Sequence, residues 1–106
     1  MNEIVAARNP NRCPSHPGAL LAEIIPATGK TKSEIAALLG ISRQQLHDIL
    51  SEAKPVSPNV AARLGKMFGD GAAIWVAMQG AYDAWHAERN LAKAIKKIPT
   101  LRAVMA

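Results

Sequence analysis

Apolar residues recur at helical spacing along most of the chain and no segment carries a strand signal, so the pattern predicts an all-α fold of five helices. Leu20, Leu21, Ile24 and Ile25 form one stripe. Ser15 is the expected cap of that helix, Pro17 falls in its first turn, and Pro26 is expected to push Ile25 out of helical geometry and close it. Residues 31–50 predict two short helices joined by a tight turn. Thr31 with Glu34 and Ser42 with Gln45 have capping-box spacing, and Gly40 between them can adopt the left-handed conformation that ends a helix. Ile35, Ala36 and Leu39 face inward on the first of the pair, Ala36 being small enough for a close crossing; Leu46, Ile49 and Leu50 face inward on the second. Residues 51–56 read as a polar loop. Ser57 and Pro58 then start a helix with Val60, Ala61, Leu64, Met67 and Phe68 on its core side, Gly69 stops it, and Asp70 is expected to cap the next. The last helix, from about residue 71 to 90 or slightly beyond, is the longest and carries Ile74, Trp75, Met78, Ala81, Tyr82 and Trp85 in one broad stripe. That stripe is wider than one small core needs: Trp75 and Met78 are expected to finish the core, while Tyr82 and Trp85 are candidates either for the core or for a homodimer interface.

A length of 106 residues fits one domain, here expected at 15–97, with a dimerisation helix at about 71–94, a flexible arm at 1–14 and a frayed basic tail at 98–106. No run of eighteen apolar residues is present and the first residues lack the pattern of a signal peptide, which points to a cytoplasmic protein without membrane contact. The single cysteine, Cys13, excludes an internal disulfide. Cys13, His16, His47 and His86 are too scattered in sequence to suggest a metal site, and no cofactor motif occurs.

The net charge of +5 is unevenly spread. Residues 54–106 hold eight basic side chains against Asp70, Asp83 and Glu88, and no acid follows Glu88. Such a balance permits an anionic partner without naming one.

The second helix of the central pair is more specific. With Leu46, Ile49 and Leu50 inward, Arg43, Gln44, His47, Asp48 and Ser51 gather on the opposite face, with hydrogen-bonding types near the helix N-terminus. A helix-turn-helix lays this second helix in the major groove of double-stranded DNA while the first crosses the backbone. Arg43 suits guanine and Gln44 suits adenine; His47 and Asp48 are further base-contact candidates, and Asp48 has orienting Arg43 as an alternative role. Lys32, Ser33, Ser42 and Lys54 are placed for phosphates.

At this point the chain resembles the HigA/VapI-type antitoxins of the lambda-repressor-like (XRE) helix-turn-helix family over roughly residues 16–90. The resemblance rests on His16-Pro17-Gly18, on Ser33-Glu34-Ile35-Ala36 followed by Leu39-Gly40-Ile41-Ser42-Arg43-Gln44, and on Trp75 with Gln79, Tyr82 and Asp83. It implies a dimer that binds a palindromic operator at its own promoter and neutralises a RelE-like endoribonuclease toxin encoded beside it. It carries base reading onto Arg43 and Gln44, with His47 and Asp48 at variable positions. Lys32 stands where the family usually has a glutamine, and Ser51-Glu52 where it usually has Asn-Gly, so the turn after the reading helix lacks its glycine.

Three other readings compete: a stand-alone XRE-type regulator without a toxin, a protein-interaction module that does not read DNA, and an enzyme. Glu52 and Asp48 on the presumed DNA side speak for the second of these. The third lacks a nucleophile with a histidine at suggestive spacing, and it lacks a phosphate-cradling glycine loop, so a non-enzyme is expected.

Overall fold

The computed structural model describes residues 12–103. Among them are six helices and no strand: α1 (Pro17–Ala27), α2 (Lys32–Leu39), α3 (Arg43–Leu50), α4 (Pro58–Phe68), α5 (Ala72–Asn90) and a short α6 (Ala92–Lys96). Most of the arm expected at 1–14, and residues 104–106 of the expected tail, lie outside the described residues.

The helices start where local chemistry places them. The Thr31 hydroxyl accepts from the Glu34 amide at 3.1 Å while the Glu34 carboxylate accepts from the Thr31 amide at 2.8 Å, a complete capping box on α2. That hydrogen bond from the Thr31 backbone, followed by the Thr31 hydroxyl, holds the Glu34 carboxyl below its ordinary value. Ser42 caps α3 through Gln45 N at 2.9 Å, and Ser57 caps α4 through Val60 N at 3.2 Å with Pro58 at the first helical position. Gly40 and Gly69 end α2 and α4 at φ of 77° and 78°.

One core unites these pieces. Leu21 and Ile25 of α1, Ile35, Ala36 and Leu39 of α2, and Leu46 and Ile49 of α3 pack with Val60, Ala61 and Leu64 of α4 and Trp75 of α5. Val56 also belongs to it at 4% exposure, although it falls at the end of the expected polar loop. Its amide donates to Gln79 Oε1 at 2.8 Å, and Gln79 Nε2 donates to Asp83 Oδ1 at 2.9 Å. Gln79 is buried, so this amide fastens the loop to α5 from inside the domain.

Several local expectations differ from the fold. His16, not Ser15, caps α1: its Nδ1 accepts from Gly18 N at 2.9 Å, and the imidazole is 2% exposed. Pro26 lies inside α1. In the last turn it removes only one intrahelical bond, and Thr28 closes the helix beyond it by donating from its amide and hydroxyl to the Ile25 carbonyl at 3.0 and 2.6 Å. Asp70 does not cap α5, because its Oδ1 accepts from the Trp75 indole at 2.9 Å; Gly71 takes the cap position without a side-chain bond. Ile74 is 50% exposed and stands outside the core stripe. The long helix breaks at Leu91, which is the C-cap of α5 and precedes α6. No helix among the described residues is long and apolar enough to cross a membrane.

Candidate nucleic-acid interface

α3 is anchored by Leu46 and Ile49 in the core and by a close main-chain approach of α1, and its outer side chains are left exposed. Gly18 of α1 sits so close to its C-terminal turn that a Cβ there would lie 1.9 Å from the Ile49 carbonyl oxygen. On the other side, Arg63 of α4 donates from Nη1 to the Leu39 carbonyl at 2.8 Å and from Nε to Asn59 Oδ1 at 2.8 Å. This satisfies a carbonyl left without an intrahelical partner at the end of α2. Gly40 therefore has two duties: it adopts the left-handed turn, and it leaves room for the Arg63 guanidinium, which a Cβ would meet at 2.6 Å.

Arg43, Gln44 and His47 are exposed and line a shallow recess of about 290 Å³ on the outer face of α3. A second hollow of about 340 Å³ between α1 and α3 brings His47 next to Lys32 at the first position of α2. Ser33 is exposed beside Lys32, and the Ser42 oxygen, used as a cap acceptor, keeps its O–H for another partner.

Asp48 is placed differently from its companions. Its Oδ1 accepts from Gln44 Nε2 at 2.9 Å and its Oδ2 pairs with Lys54 Nζ at 3.8 Å. The residue it orients is therefore Gln44 and not Arg43, because on a helix the residue four positions away is the neighbour. The Asp48 carbonyl also accepts from the amides of Ala53 and Lys54 at 2.8 and 3.1 Å, which folds the turn back onto the helix end. In that turn Glu52 has φ of 64°, the one positive value on a non-glycine residue among those described.

Tyr82 and Trp85 sit half-buried in an aromatic cluster of the chain itself. Tyr82 meets the His16 ring edge-on at 4.9 Å and the His86 ring at 4.4 Å; Trp85 contacts His86 at 5.1 Å, and the Arg89 guanidinium lies 3.6 Å over its face. Cys13, scattered from the histidines in sequence, comes within 3.5 Å of His86 Nε2. No three metal-ligating side chains assemble among the described residues.

These contacts explain residues that the sequence reading had only as a pattern. His16 caps α1 and packs on Tyr82, Pro17 is the first helical residue, Gly18 admits the α3 carbonyl, and Gln79 with Asp83 secures Val56. Arg63, which no motif singled out, is the missed member; its only sequence signal was its position four after Asn59 on α4.

Known proteins share this arrangement. No protein-family model matches the chain. Virulence-associated protein I of Dichelobacter nodosus is 33% identical over 76 residues, 71% of this chain and 70% of that protein. The fold superposes on an addiction module antidote protein of the HigA family from Coxiella burnetii with a TM-score of 0.78 and 32% identity, covering 86% of this chain and 100% of that one. The chain belongs to the HigA family of helix-turn-helix antitoxins. A further HigA structure, the antitoxin from Pseudomonas aeruginosa with the higBA promoter, has a TM-score of 0.78 at 30% identity over 84% of this chain and 99% of that one. The HigA membership covers all five major helices, so the recess at Arg43, Gln44 and His47 belongs to a helix-turn-helix of that family rather than to an isolated likeness.

Proposed function

We propose that this HigA-family chain represses its own operon as a homodimer on a palindromic operator and neutralises a RelE-like endoribonuclease toxin encoded beside it. The observation that carries the DNA-binding part is the exposed recess of Arg43, Gln44 and His47 on a helix whose opposite side is fixed in the core. Arg43 donates to guanine and Gln44 pairs with adenine, its amide oriented beforehand by Asp48; His47 reaches a neighbouring base. Lys32, Ser33, Ser42 and Lys54 take phosphates, with Lys54 leaving a weak, exposed pair with Asp48 to do so. The HigA of Pseudomonas aeruginosa, similar over most of the chain, is bound with its promoter, which supports the same use here.

Self-association is assigned to α5, where Ile74, Ala81 and Trp85 recur on one side. Ile74 is half exposed on that side, which favours a cover supplied by a second copy. Tyr82 flanks that surface from its place between His16 and His86.

Two assays test the reading. Arg43→Ala and Gln44→Ala are each expected to weaken specific operator binding by about 1–3 kcal/mol while leaving the fold intact. Protected half-sites should be centred about 34–36 Å apart on one DNA face. Operator binding indifferent to both substitutions removes α3 from the major groove. For the antitoxin part, expression of the adjoining small gene alone should arrest growth, and co-expression of this chain should relieve it. Arrest that this chain cannot relieve leaves a stand-alone regulator of the same fold.

A further inference from the structure

A recess larger than either one at α3 lies on another side of the domain. A groove of about 690 Å³ runs between the C-terminal half of α2 and the outer side of α4, and it shares no lining residue with either recess at α3. Along α2 it begins about 9 Å from Lys32. Its floor is apolar: Leu38, Ala62 and Met67. Leu38 is the decisive residue, since it is 62% exposed while Leu39 beside it is 4% exposed and in the core. An aliphatic side chain left this bare contributes little to the core, and here it adjoins other apolar atoms instead of standing alone.

The rim is cationic and partly rigid. Arg63 has Nε committed to Asn59 and Nη1 to the Leu39 carbonyl, which fixes the guanidinium plane at the groove edge with Nη2 engaged by no described hydrogen bond. Lys66 stands one turn farther along α4, and no acidic side chain lines the groove. A guanidinium oriented in advance loses little freedom on meeting a carboxylate.

We infer that this groove seats a segment of the partner protein in which an aliphatic or aromatic side chain is flanked by a carboxylate: the apolar group packs against Leu38, Ala62 and Met67, and the carboxylate meets Arg63 and Lys66. The inference rests on the antitoxin reading and names the surface through which the chain holds the neutralised protein. An apolar floor disfavours nucleic acid, whose backbone offers charge without apolar bulk. The groove and the recesses at α3 have no lining residue in common, so the protein contact and the operator contact use different side chains.

The test uses the full chain and the product of the adjoining gene, with affinity measured by calorimetry and operator affinity measured in parallel. Leu38→Asp and Lys66→Glu are each expected to weaken the protein complex at least about tenfold. Leu38→Met should retain it, operator affinity should be unchanged in all three, and each variant should keep the helical circular dichroism of the wild type. Wild-type affinity for the partner in both Leu38→Asp and Lys66→Glu overturns the groove assignment while leaving the antitoxin reading in place. A change in the mass of the isolated chain on Leu38→Asp, read by light scattering, overturns it in favour of a contact between copies. A wild-type chain that does not bind the neighbour's product overturns the antitoxin reading itself, and the groove assignment with it.

Discussion

The chain contains two helical glycines for which the same substitution should act in opposite directions. At Gly18 an added Cβ would lie 1.9 Å from the Ile49 carbonyl oxygen and 2.9 Å from its carbon. Even a close C–H···O contact needs about 3.3 Å, so α1 and α3 must separate by roughly 1.4 Å at that point. The obstructing atoms are backbone, and no side chain can swing aside. Overpacking of this kind costs about 1–3 kcal/mol, from which the better helix propensity of alanine recovers at most about 1 kcal/mol. At Gly80, in the middle of α5, nothing lies within 4 Å of the same added atom. Gly80→Ala is therefore expected to stabilise the chain by up to about 1 kcal/mol through propensity and a less flexible unfolded state. Urea unfolding followed by tryptophan fluorescence measures both, and operator titration of Gly18→Ala should show weakened binding because the reading helix has moved. A Gly18→Ala chain more stable than wild type, with operator affinity unchanged, would refute the close α1–α3 approach and the explanation of His16-Pro17-Gly18 built on it.

Gln79→Leu fills similar space but strands the buried Val56 amide, so it should lower stability by about 1–3 kcal/mol in the same unfolding assay. Glu52→Gly relieves a left-handed residue at φ of 64° and should raise stability by about 1 kcal/mol, less the added freedom of glycine in the unfolded chain; a fall in the urea midpoint would contradict the assignment. Glu34 is more acidic folded than unfolded, so the folded state binds fewer protons in that range. Its contribution to stability is complete above the ordinary value of 4.5 and is lost as pH falls through the lowered value. Glu34→Gln should accordingly flatten the acid limb of the stability profile, read as thermal midpoint against pH.

Local signals were legible in the sequence and distant ones were not. Thr31, Gly40, Ser42 and Ser57 act on atoms within four residues of themselves, so their spacing alone places α2, α3 and α4. The inward residues Leu46 and Ile49 follow from helical period, and the outward set of Arg43, Gln44 and His47 follows with them. The Gln79–Val56 and Arg63–Leu39 bonds join residues 23 and 24 positions apart, and no periodicity announces such partners. Ser15 and Asp70 show the other side of the same limit. Each has the chemistry of a cap, yet His16 was nearer the required geometry and the Trp75 indole claimed the Asp70 carboxylate. The aromatic stripe on α5 was visible as a stripe, but its division into buried Trp75, clustered Tyr82 and bare Ile74 depends on where α1 and α4 lie.

The framework around the reading helix grips atoms that every residue possesses. Gly18 abuts the Ile49 carbonyl, Arg63 holds the Leu39 carbonyl, and Gln79 holds the Val56 amide. None of these attachments depends on what stands at positions 43, 44 or 47. With α3 as the proposed reading helix, such a domain can diverge in the DNA word it recognises while its architecture stays constant.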